Sequence, residues 1–349
     1  MIEGVIGEIK SAKEFSSQSV NYGNDVPGYS LTRPGRLSEA VRKLSDHYIG
    51  KPGDATPWNE TWAQAAYLAY FYPLNWARAW SVVDEGRRHG FFNGLKSYID
   101  FGSGVSPFSH LLKDIGPGSC VEISNEAREL HKRMSVGIEL EWTSTAGVVG
   151  LPSETLAIFS YVLTEVPAFP KWALDCEAIL IVEPSTRQDG RRLQTLRNEL
   201  QKKGFHIYAP CTHAGECPLL KQSNTDWCHD RIHFEAPTWF EGLEKLLPMR
   251  NRTITFSYLL ARKTPPAKRP AGLARITGDV LEEKGKTRQL VCRGEEREFL
   301  SWLHRDGPST GHNRGSLVIL PENLEVKGNE LRAGSDQPVA LVRKLPTSL

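Results

Sequence analysis

The sequence predicts an α/β protein: a mostly parallel, doubly wound sheet, preceded by a helical region and followed by a small β-rich module. Three observations carry this. From about Lys96 onward, short apolar runs of strand length alternate with segments of helical periodicity, the pattern of strands joined by crossover helices. One of those runs, Ala178-Ile-Leu-Ile-Val-Glu, is strongly apolar, whereas beyond Pro265 the chain breaks into short strands and turns. A length of 349 residues also exceeds what one hydrophobic core usually supports, so two or three domains are expected.

In chain order, residues 1–90 read as helical. Arg36 to Tyr48 is amphipathic, and Glu60 to Asp84 carries Trp62, Tyr67, Tyr70, Phe71, Trp76 and Trp80, an aromatic packing layer that Pro73 is expected to break or kink. Residues 91–264 hold the alternating core. Its strands are Ser97 to Phe101, Cys120 to Ile123, Leu156 to Leu163, Ala178 to Glu183 and Phe205 to Ala209, with a helix from Arg191 to Lys203 stopped by Gly204. A cysteine-rich insertion spans 209–250, and Thr253 to Ala261 supplies a further strand after it. Residues 265–349 form the β-rich module, ending on Ser316-Leu-Val-Ile-Leu and Val339-Ala-Leu-Val. There is no internal repeat or low-complexity tract.

Charge excludes little but locates something. The 43 basic and 41 acidic residues nearly cancel, so no global nucleic-acid signature exists. Locally, Arg262 to Arg288 holds eight Lys/Arg against three acids, either an RNA-facing strip or a solvated linker beside Pro265, Pro266 and Pro270. The N-terminal segment Met-Ile-Glu-Gly-Val-Ile-Gly-Glu-Ile-Lys reads as neither signal nor transit peptide, and no apolar run reaches the length of a membrane span. A cytoplasmic monomer with no membrane association is expected. In a reducing compartment, clustered cysteines favour metal ligation or catalysis over disulfides.

Four of the six cysteines are so clustered. Cys211, Cys217, Cys228 and Cys292 are spaced C-x5-C-x10-C-x63-C, with Gly215, Pro218, His213 and His229 among the first three. Three thiols within eighteen residues describe a loop around a soft metal centre, the distant fourth pinning another segment onto it; the alternative is that they are buried small hydrophobes. Four thiolates suit tetrahedral zinc or a cubane iron–sulfur cluster, and spacing does not choose between them.

A second constellation, Asp100-Phe101-Gly102-Ser103-Gly104, follows a strand and precedes a helix. Glycine permits positive φ and a close backbone approach to a ligand, and Glu122, about twenty residues on at the end of the next strand, can accept two ribose hydroxyls. Position 107 is Pro107 where the dinucleotide fingerprint needs its third glycine. That disfavours a nicotinamide enzyme and suits S-adenosylmethionine, which has no pyrophosphate. Asp100, Gly102, Ser103, Gly104 and Glu122 are therefore the candidate cofactor residues.

With these residues in view, the chain resembles the Rsm22 family, methyltransferase-like proteins associated with the mitochondrial small ribosomal subunit, with bacterial relatives. The resemblance runs from about Arg36 to the C-terminus. It is carried by Asp100-Phe-Gly-Ser-Gly, Ser160-Tyr-Val-Leu-Thr-Glu, Val182-Glu-Pro-Ser-Thr, Ala209-Pro-Cys-Thr-His with Cys217-Pro-Leu, Asp226-Trp-Cys-His and Phe256-Ser-Tyr-Leu. It implies a class I (Rossmann-like) methyltransferase core, an S-adenosylmethionine pocket and a 4Fe-4S cluster on Cys211, Cys217, Cys228 and Cys292. It also implies work on the small ribosomal subunit or its rRNA, and a mitochondrial location in eukaryotic relatives. Thr212 departs from the proline the family often has there, and no acidic segment precedes Phe256; neither touches a ligand.

No catalytic residue is assigned. Where amino-group methyltransferases place Asn-Pro-Pro-Tyr after the fourth strand, this chain has Ser160 to Glu165. Cytosine-C5 chemistry needs a cysteine nucleophile, and Cys120 and Cys176 read as packing. Glu165 and Glu183 lie near strand ends and suit either substrate orientation or structure. Two functions follow: an S-adenosylmethionine-dependent rRNA methyltransferase serving small-subunit biogenesis, or a catalytically inactive RNA-binding assembly factor in which the cluster, or zinc, is a structural clip.

Overall fold

A computed structural model of the chain describes residues 26–144, 151–233, 235–309, 311–334 and 336–342. The reading of the first ten residues therefore lies outside the described residues.

The N-terminal part is helical. Helix α1 (Gly35–Gly50) buries Leu37, Ala40, Val41 and Leu44, one stripe at three- and four-residue spacing. Helix α2 (Thr61–Ala66) runs through a π-helical turn, Tyr67–Phe71, into α3 (Tyr72–Arg88). Pro73, expected to break the run, sits instead in the first turn of α3. Its missing N–H costs little there, because the wide turn before it has already interrupted the α-helical hydrogen-bond ladder.

The central sheet contains β1 (Ser97–Phe101), β2 (Gly118–Val121), β3 (Leu140–Thr143), β4 (Thr155–Ser160), β5 (Ala178–Glu183), β6 (His206–Ala209), β7 (Asp230–His233) and β8 (Thr253–Arg262). Its connecting helices are α4 (Phe108–Leu111), α5 (Asn125–Met134), α6 (Arg187–Lys202), α7 (Pro218–Gln222) and α8 (Thr238–Glu244). Strand order is β3-β2-β1-β4-β5-β8-β6; β1 to β5 run parallel, β8 runs antiparallel between β5 and β6, and β7 pairs with β8. This is a Rossmann-like class I methyltransferase core. Strand order reverses between β1 and β4, so the carboxyl ends of those two strands frame the crevice where open α/β sheets bind ligands.

Both faces of the sheet are covered, and the pleat assigns residues to them alternately. Leu156, Ile158, Leu180 and Val182 pack with Val82 and Val83 of α3. Ala157, Phe159, Ile179 and Ile181 pack on the other side with Leu193 and Leu200 of α6. Strand β2 ends before Glu122, and Ile123, expected within it, is exposed.

Strands β9 (Leu273–Ile276), β10 (Leu281–Glu283), β11 (Lys286–Cys292), β12 (Glu298–Leu303), β13 (Leu317–Ile319), β14 (Glu325–Lys327), β15 (Glu330–Arg332) and β16 (Ala340–Leu341) form a second sheet. Its core includes Ile276, Val291, Leu300, Trp302 and Val318.

Six of the eight cations of the basic segment are engaged within the protein, while Lys268 and Lys284 are exposed. Arg262 is buried and pairs with Glu177 at 2.8 Å; Lys263 donates to the Asp175 carbonyl at 2.8 Å, and Arg269 to those of Ile207 and Tyr208 at 2.7 and 3.0 Å. Arg275 is buried against Glu85, while Lys286 and Arg288 pair with Glu283 and Glu330. Arg262 and Lys263 brace the central sheet, Arg269 and Arg275 tie the second sheet to it, and Lys286 and Arg288 act within the second sheet. Glu283 lies within the segment, but Glu85, Glu177 and Glu330 come from distant chain, which a local count of charges does not reveal.

Candidate functional site

The glycine turn leaves β1 at the switch point. Gly102 and Gly104 both hold left-handed backbone, with φ of 64° and 49°. A Cβ on Gly102 would stand 2.3 Å from Val162 Cγ2, so glycine here serves the contact between the turn and the segment after β4 as much as any ligand. The Gly102 and Ser103 amides donate to the Val121 carbonyl at 2.8 and 3.1 Å. Glu122 then closes the turn: its Oε2 accepts from the Gly104 amide at 2.8 Å and its Oε1 from the Ser124 amide at 2.7 Å. Each oxygen keeps a second lone pair, so Glu122 holds the turn and still presents acceptors.

Asp100 is the unsatisfied member. Its carboxylate is 1% exposed, and neither oxygen has a hydrogen-bond partner among the described residues. Burial pushes its pKa up to about 7; the nearby Ser106 hydroxyl opposes the shift and the Glu122 charge adds to it. An unpaired buried carboxylate at a strand end is costly and suits a site awaiting a cationic or donor-rich ligand. Trp58, 3.2 Å from where a Gly104 Cβ would lie, closes the turn from the N-terminal side.

A histidine that sequence reasoning missed supports this turn. His131 of α5 is fully buried, with Nδ1 3.1 Å from the Gly104 carbonyl and Nε2 2.9 Å from the Ser109 hydroxyl. Burial depresses its pKa to about 3, so it is neutral in the folded protein. The unfolded chain takes up this proton near pH 6.5 and the folded chain only near pH 3. Stability from this group is complete above pH 6.5 and is lost as pH falls from there toward 3, at up to about 1.4 kcal/mol per pH unit. Urea unfolding between pH 6.5 and 4.5 is expected to show the wild type losing on the order of 2 kcal/mol more than His131→Gln. Parallel pH curves would remove His131 as the acid-sensitive group.

After β4 comes Tyr161, at φ 59°, alone among the described non-glycine residues in having positive φ. Its amide donates to the Val182 carbonyl at 2.8 Å, and Val162 packs on the glycine turn. Glu183 is spent structurally: Oε1 accepts from the Leu163 amide at 3.1 Å and Oε2 lies 3.5 Å from Arg192. Burial pushes its pKa up to about 8, against the Leu163 amide and Arg192. Glu165 is exposed, while Cys120 and Cys176 are fully buried packing residues.

The four clustered cysteines meet elsewhere. Cys211, Cys217, Cys228 and Cys292 are free thiols that line one cavity of about 50 Å³ between α6, the loop after β6 and the second sheet. Helix α6 builds its wall. Arg197 donates to the carbonyls of Gly215 and His213 at 2.6 and 3.2 Å, and Arg191 to those of Ser223 and Asp226 at 2.9 and 2.8 Å. Trp227 Nε1 anchors to the Ser185 carbonyl at 2.7 Å, and the Thr212 hydroxyl donates to the Cys292 carbonyl at 2.9 Å. Two groups address sulfur directly: Gln194 Nε2 donates to Cys217 Sγ at 3.4 Å, and His213 Nε2 lies 3.5 Å from Cys292 Sγ. Burial raises the Cys228 and Cys292 thiols, and the neighbouring cysteines raise them further. Among the described residues no three His, Cys, Asp or Glu side chains converge as ligands of a single ion would. Also among them, no helix is long and apolar enough to cross a membrane.

A family model described as "Mitochondrial small ribosomal subunit Rsm22" matches residues 63–300. No curated protein gives a significant match. Among solved structures, a Pyrococcus horikoshii protein provisionally described as an RNA methyltransferase is 17% identical, over 67% of this chain and 99% of that one, at a TM-score of 0.31. An S-adenosylmethionine-dependent methyltransferase of Leishmania major is 13% identical over 67% and 84%, at 0.36. One from Thiobacillus denitrificans, in complex with S-adenosyl-L-homocysteine, is 12% identical over 54% and 90%, at 0.31. At these values the fold is assigned from strand order, not from the likeness.

Proposed function

The chain belongs to the Rsm22 family, and from that premise we propose that it is an S-adenosylmethionine-dependent methyltransferase acting on small-subunit rRNA during ribosome biogenesis. The observation that carries the reading is the buried, partnerless Asp100 carboxylate beside the glycine turn, with Glu122 at the neighbouring strand end. In this reading Asp100 takes the ammonium of the methionine moiety, Gly102 to Gly104 pass beneath the ligand, and Glu122 accepts the ribose hydroxyls on its remaining lone pairs. Asp100→Asn tests it, because the charge is removed while the size of the side chain is kept. Calorimetry with S-adenosylhomocysteine is expected to show binding weakened by about 1.5–3 kcal/mol, with folding stability unchanged or raised. Wild-type protein that binds none leaves the turn as scaffold.

The second component we propose is a 4Fe-4S cluster held by Cys211, Cys217, Cys228 and Cys292, which line one cavity. Four free thiols line one cavity, a donor set that suits zinc as well as a cluster, and membership of the Rsm22 family is what favours the cluster. Arg197 and Arg275 line the same cavity and suit the negative charge of a thiolate-bound cluster. Bound there, the cluster would join the loop after β6 to the second sheet through Cys292.

A second reading, an assembly factor that binds RNA without methylating it, is favoured by the segment after β4. Glu183 is committed to the Leu163 amide, and Ser160 to Glu165 stand where amino-group methyltransferases place Asn-Pro-Pro-Tyr. Methylation mapping of small-subunit RNA with and without the protein separates the two.

A further inference from the structure

Irregularities of three kinds meet at the outer edge of the crevice. One is the π-helical turn at Tyr67–Phe71. In an unbroken α-helix, positions 67 and 75 would be about 80° apart around the axis; the residue inserted by a π turn takes back about 100°, leaving them about 20° apart on one face. The consequence is a hydrogen-bonded ridge. Tyr67 donates its hydroxyl to the Val105 carbonyl at 3.4 Å and accepts from Asn75 Nδ2 at 3.3 Å, while Arg78 donates to Asn75 Oδ1 at 2.8 Å.

The second irregularity is the charge of Arg78. Its guanidinium donates to Asn75 and to the Thr255 carbonyl at 3.4 Å and lies 5.8 Å from the centre of the Tyr161 ring, all neutral partners. Thr255 stands at the start of β8, which runs antiparallel to β5, so this edge is the one where β4 and β5 end. Tyr161 is the third. Left-handed backbone is unfavourable for a bulky residue, and glycine would hold the same bend without strain. A half-buried aromatic ring is thus kept at a strained position, beside a cation with no acidic partner among the described residues, at the end of a ridge that starts on the glycine turn.

We propose that this ridge is the substrate subsite: a nucleobase turned out of single-stranded RNA stacks against Tyr161, bordered by Tyr67, and Arg78 takes an adjacent phosphate. Aromatic faces with a neighbouring guanidinium are the chemistry by which unstacked bases and their phosphates are held. The proposal rests on the reading that the crevice binds the methyl donor. Tyr161 and Arg78 act in it as positioning residues.

The test uses the full chain, a short fluorescein-labelled single-stranded RNA of mixed sequence, and S-adenosylhomocysteine. Arg78→Gln is expected to weaken RNA binding several-fold and to make the log–log salt slope shallower by about 0.7, the value for one phosphate on a single strand. Tyr161→Gly is expected to weaken it about tenfold, Tyr161→Phe less than twofold. All three should bind S-adenosylhomocysteine like the wild type. Thermal unfolding of Tyr161→Gly, whose backbone strain is relieved, verifies that the variant is folded. RNA binding absent in the wild type, or unchanged in Arg78→Gln and Tyr161→Gly, overturns the subsite while leaving the cofactor reading intact. Loss of S-adenosylhomocysteine binding by Arg78→Gln overturns it too, assigning that cation to the cofactor. Failure of the wild type to bind S-adenosylhomocysteine is instead the failure of the cofactor reading.

Discussion

Protein purified without oxygen is expected to be brown, with about four irons and four labile sulfides per chain, and Cys292→Ser is expected to lose them as completely as Cys211→Ser. The equivalence is the informative part. Cys211 lies in the loop after β6, whereas Cys292 closes β11 in the second sheet and pairs in register with Arg275. If both thiolates hold one cluster, a change in either sheet empties the same site. Iron and sulfide analysis with visible absorption measures this. Stoichiometric zinc without sulfide would replace the cluster but keep the four-thiolate site, whereas a metal-free, fully folded protein would reduce the cysteines to packing. Loss of the cluster is not expected to separate the sheets, because Arg231 still pairs with Asp279 at 2.7 Å and Arg297 with Asp226 at 2.6 Å. The clip is therefore expected to tighten an interface that polar contacts already define.

Legibility followed the range of the interaction. Ala178–Glu183 and Ser97–Phe101 are strands over the residues their local pattern predicts, since burial from both faces demands a continuous apolar run. The glycine turn was readable because the residues that shape it are contiguous. Strand β3, half exposed at the sheet edge, and β7, which pairs with β8 off the main strand order, carry too little apolar signal to stand out from loops. The insertion of β8 between β5 and β6 is a pairing across distant chain, invisible to any window. Among the candidate residues, sequence named Asp100 and Glu122, and Tyr161 only as part of the Ser160–Glu165 segment, but not His131 or Arg78. A histidine on a polar helix, an arginine among aromatics and a tyrosine after a strand become distinctive only through burial, an unmatched charge and a positive φ.

Arg275→Met is expected to destabilise the protein by about 3–5 kcal/mol, the usual cost of stranding buried partners of a removed charge. Arg275 is 4% exposed, donates to the Pro210 carbonyl at 2.6 Å and the Gly315 carbonyl at 2.7 Å, and pairs with Glu85 of α3 and with Asp230 of β7 at 3.7 Å. It thereby holds the N-terminal helix, the central sheet and the loop before Cys211 to the second sheet at one point. Burial alone would raise the Glu85 carboxyl, but Arg275 and His89 hold it well below the usual carboxylate range. Without Arg275, the two carboxylates face each other's charge inside the protein, Glu85 keeping His89 at 3.0 Å and Asp230 the Arg231 amide at 3.1 Å. Because the cost lies in the stranded acids, combining Arg275→Met with Glu85→Gln and Asp230→Asn is expected to recover most of the stability. Urea unfolding of the single and combined variants measures this. A loss under about 1 kcal/mol for Arg275→Met, or no recovery in the combination, would show that the junction is held by packing instead of charge.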